Sequence, residues 1–274
     1  MNLRQRRVQR KAVFIAIILA IIFIFPYYYI LFQSFTPWTE VDSSVVPHKF
    51  SIESYKYLLN NGGEGNKMMW IRAMLNSIIV SVVSTLAALF TGFLTAYAMT
   101  ELHFKRYKTI HNLLLFQMFF PTIILLVPQY MLLKPFVNNY LGMIIPFTVS
   151  AWAVMVYFNY FKTLPLSLFE SARIDGASEI RIAFQIAFPI GKTISIIVFL
   201  SIFLGRWSEL MWDMLMAPKL QMQTLNVLIT TQFKPMGNLP GPLYAASAIL
   251  TFPVIILFLC FSKYFKQGIA MQLK

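Results

Sequence analysis

Charge is what this chain has least of. Asp, Glu, Lys and Arg make up 12% of its 274 residues, and only ten of those are acidic. A soluble domain carries about 25% charged residues. There is one cysteine, Cys260, so no intrachain disulfide can form. Its place in the last apolar run predicts a small buried hydrophobe. The three histidines, His48, His103 and His111, fall in no H-E-x-x-H spacing, and neither G-x-S-x-G nor G-x-x-x-x-G-K-[ST] occurs. The sequence therefore offers no zinc-hydrolase, serine-hydrolase or phosphate-loop chemistry of its own. The histidines read as solvated or interfacial side chains.

Apolar residues are abundant instead, at 58% with a mean hydropathy of +0.66. A water-soluble globule could not hide that fraction, and a disordered chain needs the opposite balance of low hydrophobicity and high charge. What is left is a membrane protein. Charge is absent from Ala12 to Thr39, Ala73 to Thr100, Thr109 to Leu133, Pro135 to Phe161 and Pro235 to Ser262. Each run can supply the roughly 20 residues of helix that span a hydrocarbon core. A sixth apolar stretch, Thr193 to Ala217, is interrupted by Arg206, Glu209 and Asp213. The runs show no strand-like alternation, so the expectation is an all-α polytopic protein rather than a barrel. The expected spans are 12–34, 74–99, 110–132, 142–161, 192–214 and 243–263, in a single transmembrane domain covering 1–274. The first reads as a retained signal anchor, since no small-x-small cleavage site follows it.

Lys and Arg set the orientation. With the N-terminus inside, fifteen of the 23 basic residues lie in internal segments and seven in external loops, while Arg206 falls within a span. The bias favours both termini in the cytoplasm. The net charge of +13 is thus mainly a topology signal. No soluble basic domain remains to bind nucleic acid. Three connecting segments are long: external 36–72 and 216–242, and internal 162–190.

The internal segment carries the most information. Pro165 suits a first helical position. A helix from there to about Ile174 would stop at Gly176, the residue best suited to a left-handed cap. Ser178 can cap a second helix with Glu179 in its first turn, and Pro189 would end or kink it. Leu166, Phe169 and Ala172, and then Ile180, Phe184 and Phe188, recur at helical spacing and give each helix an apolar face. By pattern alone, the segment is either a connector lying on the bilayer or a knob for a partner's groove.

Glu170-Ser171-Ala172, Gly176 three residues on, Ile186 nine further and Pro189 at the close have the spacing of the E-A-A-x3-G-x9-I-x-L-P loop. The segment resembles that loop of binding-protein-dependent ABC importer permeases, with Ser171 for Ala and Phe188 for Leu, and Asp175 and Ala177 extend the match. Asn76-Ser77, Ala96-Tyr97-Ala98, Trp207-Ser208-Glu209-Leu210-Met211-Trp212 and Phe265-Lys266-Gln267-Gly268-Ile269 are similar to the carbohydrate, maltose-permease-type branch. Asp213 stands where that branch usually has Pro. The likeness fits the shorter, six-span partner of the permease pair.

The resemblance implies a type I ABC importer permease fold in a bacterial inner membrane. It implies a transport subunit, not an enzyme, that imports a sugar or oligosaccharide. No cofactor would be bound by this chain; ATP and Mg would sit in partner subunits. The implied partners are a second homologous permease in a heterodimer, two ATP-binding subunits, an external solute-binding protein and membrane lipid. Glu170, Ser171, Ala172, Asp175, Gly176, Ala177, Ile186 and Pro189 would form the coupling loop, with Glu170 as polar anchor and Gly176 as hinge.

Two further groups are candidates. Arg206, Trp207, Glu209, Trp212 and Asp213 would line the translocation path. Arg206 and Glu209 are spaced to pair, Glu209 and Asp213 to share a helix face, and the indoles to offer ring faces to sugars. The alternative is a short span whose outer end sits in interfacial water. Gln232, Lys234, Met236, Gly237 and Asn238 would form the tip of a loop reaching the binding protein, or else part of a plain connector. Two competing functions stay open: a permease of the same superfamily for a non-sugar solute, and a secondary transporter working alone. Movement of solute by the lone chain without ATP would mark the last.

Overall fold

The computed structural model describes residues 3–46, 48–60, 68–102, 104–233 and 240–272, with side chains from 9 to 263. Those residues are helical with no strand. In chain order the helices are α1 (Leu3–Ser34), α2 (Glu53–Leu59), α3 (Met69–Glu101), α4 (Tyr107–Met118), α5 (Thr122–Leu133), α6 (Tyr140–Ile144) and α7 (Ala151–Phe161). There follow α8 (Leu166–Ile174), α9 (Glu179–Ile182), α10 (Phe188–Ile190), α11 (Lys192–Trp207), α12 (Met211–Met216), α13 (Leu225–Phe233) and α14 (Pro240–Gln272). Four stretches are long and apolar enough to cross a membrane: Gln9–Ser34, Met69–Glu101, Tyr140–Phe161 and Pro240–Lys263. Two bent pairs raise the number to six if each is one span.

Those bends depart from the straight spans expected. Residues 110–132 are not one rod: α4 and the helix beginning at Thr122 meet at 104°. Pro121, in extended conformation, precedes α5. Proline lacks the N–H a continuing helix needs, and its ring crowds the preceding turn. The stretch 192–214 is also broken, because α11 ends at Trp207 and α12 begins at Met211.

The chain divides into two compact units, Met1–Ile71 with Leu228–Pro253, and Arg72–Val227 with Val254–Lys274. In the first unit, Asp42 accepts hydrogen bonds on Oδ1 from Tyr29 (2.7 Å) and Tyr244 (2.8 Å). Asp42 has a φ of +62°. Gln33 secures the same turn by accepting from the Asp42 N–H and donating to the Ser44 carbonyl.

In the second unit, α3 shows how a helix is buried when both faces are apolar. Leu75, Ile79, Val83, Leu86, Phe90 and Leu94 form its exposed stripe. The buried stripe mixes large apolar residues such as Val80, Leu89, Phe93 and Tyr97 with small and polar ones, Ser77, Ser81, Ser84, Thr85, Ala88 and Ala96. Lipid tails are as apolar as leucine, so tight packing selects small residues. At Gly92 an added Cβ would lie 2.8 Å from the Ala153 Cβ, which fixes the close approach of α3 and α7. The core around them joins Phe93, Tyr97, Tyr157 and Phe161 to Phe169, Ile182 and Ala187 of the internal segment.

Cys260 is exposed rather than buried. The solvent around this helix is hydrocarbon, which suits a small apolar side chain as well as a protein core does.

Candidate functional site

The internal segment is two short helices held by complementary caps. After α8, the Gly176 N–H bonds to the Arg173 carbonyl and the Ala177 N–H to the Ala172 carbonyl, both at 3.0 Å. This is the paired bonding of a Schellman end, and Gly176 takes the left-handed φ of +79° that it requires. Nothing lies within 4 Å of a Cβ added there, so glycine is needed for its backbone alone. Pro165 is the N-cap of α8, one residue outside the helix. Ser178 caps α9 by accepting from the Arg181 N–H.

Past α9 the backbone makes a π turn over Ala183–Ala187 and resumes as α10. Pro189 cannot donate to the Gln185 carbonyl, and the longer i→i+5 turn takes up the break. The inserted residue shifts the faces. Ile180, Phe184 and Phe188 therefore do not form the single apolar stripe that their spacing suggested. Ile180 is 75% exposed, whereas Ile182, Ala183 and Ala187 are buried, and Phe188 packs edge-on against Phe93. Of the motif residues, Ala172 is buried, Ala177 and Ile186 are half-buried, and Glu170, Ser171, Asp175, Gly176 and Pro189 are exposed. Leu166, Ile174 and Ile180 are exposed beside them. The segment thus presents a mixed acidic and apolar surface on a capped frame.

Four residues outside the expected set tie this frame to α3. Arg173 Nε donates to Glu179 Oε1 at 2.7 Å and its Nη2 to Oε2 at 3.3 Å. The same Nη2 reaches the Glu101 carbonyl at 3.4 Å and lies 3.6 Å from its carboxylate. Tyr97 donates to Glu179 Oε2 at 2.7 Å. The Arg173 guanidinium, helped by the Tyr97 hydroxyl, holds the Glu179 carboxyl below its ordinary 4.5 against the opposing effect of burial. The Glu179 hydrogen bond raises the Arg173 pKa in turn. The sequence held a signal for this cluster: Glu101 and Arg173 are charges at the ends of apolar elements, where an unpaired charge would be costly.

The second candidate cluster is arranged differently from its spacing. Arg206 pairs not with Glu209 but with Asp213, across the break between α11 and α12. The contacts are Nη2 to Oδ1 at 2.6 Å and Nη1 to Oδ2 at 3.0 Å. Nη2 also donates to the Met143 carbonyl, and the guanidinium lies 4.3 Å from the Phe147 ring centre. Glu209 and Asp213 do not share a helix face, because Glu209 precedes α12 and accepts from the Trp212 N–H at 3.0 Å. The expected ring faces are covered as well. Trp207 stacks on Phe203 and is buried, and Trp212 is buried with its indole N–H on the Gly142 carbonyl. A Cβ on Gly142 would collide with Met216 and the Phe136 carbonyl, so glycine lets α12 seat there.

A cavity of about 630 Å³ opens beside this pair, lined by Gln117, Gln129, Ser150, Arg206, Glu209 and Trp212 among others. Arg206 is neutralised by Asp213, which leaves Glu209 to set the local charge.

The stretch 216–242 contains a helix, α13. Asn76 donates to the Gln221 and Gln223 carbonyls at 3.0 Å and accepts from the Tyr140 hydroxyl at 2.6 Å. The Ser77 hydroxyl accepts from the Leu225 N–H. Gln232 falls in α13; Lys234, Met236, Gly237 and Asn238 lie outside the described residues.

Apolar helices able to cross a membrane, joined by a capped segment over 162–190, define a polytopic membrane component. Residues 88–271 match the binding-protein-dependent transport system inner membrane component, and the chain belongs to that family of ABC importer permeases. ATP hydrolysis in such systems lies in separate subunits. The chain is 28% identical over 260 residues to the arabinooligosaccharides transport system permease protein AraQ of Bacillus subtilis, covering 92% of this chain and 91% of that one. It is 30% identical over 262 residues to the trehalose/maltose transport system permease protein MalG of Thermococcus litoralis, covering 93% and 92%. At 24% identity over 281 residues it is similar to an sn-glycerol-3-phosphate transport system permease protein of Brucella abortus, covering 97% and 98%. Its fold is shared, with a TM-score of 0.84 and 20% identity, by a chain of a bacterial ABC transporter involved in import of the acidic polysaccharide alginate; the match covers 97% of this chain and 99% of that one.

Proposed function

We propose that this permease imports an uncharged sugar or oligosaccharide and that residues 162–190 couple it to ATP hydrolysis. It would act as a heterodimer with a second, homologous permease, two subunits that bind ATP and Mg, and an external solute-binding protein. Both termini would be cytoplasmic, which puts the coupling segment on the ATP side.

The observation that carries the coupling role is the capped segment with Glu170, Leu166, Ile174 and Ile180 on its outer surface. A rigid, mixed polar and apolar ridge is what a partner's groove can grip, and a two-state interface there can tilt the spans. Relatives named for arabinooligosaccharides and trehalose/maltose support a sugar. Glu209 beside the cavity, with Arg206 already neutralised, disfavours an anion and so supports an uncharged solute over a phosphate or a uronate.

The test is reconstitution of the full complex. Glu170→Lys is expected to leave ATPase activity running while uptake is lost. Normal uptake by a fully assembled Glu170→Lys complex would refute the coupling role. An anionic ligand recovered with the cognate binding protein would refute the uncharged solute.

A further inference from the structure

The coupling segment is built from pieces too small to hold their own orientation. Helix α8 has nine residues, and α9 with its π turn and α10 runs only from Glu179 to Ile190, whereas isolated helices shorter than about 12–15 residues are marginal in water. Their surface can move a span only if something stiff joins them to it. The Schellman end joins α8 to α9 through the backbone. Apolar contacts join them to α3, Phe169 against Tyr97 and Phe188 against Phe93; the polar link is Arg173. One guanidinium takes both carboxylate oxygens of Glu179 on α9 and the carbonyl and carboxylate of Glu101 at the inner end of α3. Tyr97, one turn back on α3, closes the loop onto Glu179. Tyr97 itself is clamped among Phe93, Phe161 and Phe169.

We propose that Arg173 is a positioning residue for energy coupling: with Glu101, Glu179 and Tyr97 it forms a brace through which displacement of the coupling segment is delivered to the α3 span. This rests on the reading of 162–190 as the coupling element. Arg173 lies three residues from Glu170, on a neighbouring part of the α8 surface, but its guanidinium is engaged by Glu179 and Glu101 and only three-tenths of its side chain is accessible. Its role is to carry the load rather than to grip the partner. Arginine suits it because one planar fork can serve two carboxylates, whereas a lysine ammonium is a point charge.

The experiment uses the whole complex in proteoliposomes, with ATPase and solute uptake measured on the same preparation. Arg173→Gln is expected to lower solute moved per ATP by roughly fivefold, with the ATP KM unchanged. Arg173→Lys should recover part of that loss. Tyr97→Phe, which removes only a hydroxyl, should give a smaller loss in the same direction. Glu170→Lys run in parallel separates the two ideas. If it uncouples and Arg173→Gln does not, the brace is overturned and the coupling role stands. If Glu170→Lys stays coupled, the coupling role falls and the brace with it. The brace is also overturned if Arg173→Gln and Arg173→Lys reduce uptake and ATPase in equal proportion, or if both fail to assemble while Tyr97→Phe keeps the wild-type ratio; Arg173 would then only support the fold.

Discussion

Arg206 and Arg173 each hold a carboxylate with two nitrogens, yet they sit in opposite surroundings. The side chains of Arg206 and Asp213 are 1% and 2% exposed, while those of Arg173 and Glu179 are 32% and 40% exposed. The first pair is sealed between α11, α12 and the Met143 carbonyl. The second is partly exposed, so that water competes for the Arg173–Glu179 bonds. A sealed pair cannot open without stranding a charge, so it fixes a shape. A wetted pair costs less to break, so its loss should show in what it connects before it shows in stability.

The largest effect should come from stranding the sealed charge. Asp213→Ala is expected to cost about 3–5 kcal/mol, read as a lower unfolding temperature in detergent, with Arg206→Met plus Asp213→Leu recovering most of it. A silent Asp213→Ala would mean that water reaches the pair and that the contrast is false. Asn76→Ala should come next, at about 1–3 kcal/mol, because it removes the donor to the Gln221 and Gln223 carbonyls and the acceptor of the Tyr140 hydroxyl. Gly176→Ala should cost about 1 kcal/mol through its left-handed backbone, and Gly176→Asn less. Arg173→Gln should cost less stability than Asp213→Ala, because its bonds to Glu179 are partly exposed. A large thermal shift there would erase the distinction between the two arginines.

The smallest effect concerns acid. Glu179 is held below its ordinary 4.5, so its contribution is complete above that value and is lost as pH falls through the depressed one. Solute moved per ATP should therefore be flat from about pH 6 to 8 and decline only on strong acidification of the side that Glu179 faces. A decline near neutrality would place the control elsewhere.

The same contrast shows where the sequence was legible. Missing charge reveals apolar helices directly: the run Ala73–Thr100 lies within α3. The capping chemistry of Gly176 and Ser178 is local, so the turn between α8 and α9 could be read from neighbours. Breaks inside apolar runs could not, because Phe119-Phe120-Pro121 carries no charge to mark the bend between α4 and α5. The Arg206–Asp213 pair was hidden by assuming one helix, which put the wrong acid within reach. Arg173 was hidden by distance, for its partner Glu101 lies 72 positions away along the chain.

Asp42 has a consequence for the order in which the protein is made. Its carboxylate takes one hydrogen bond from Tyr29, 13 positions back, and another from Tyr244, 202 positions ahead. The first can form while the chain is still being synthesised. The second has to wait until the final apolar helix has left the ribosome. Until then Asp42 has only the first of its two tyrosine donors, and the second bond forms only once the last helix lies beside the first.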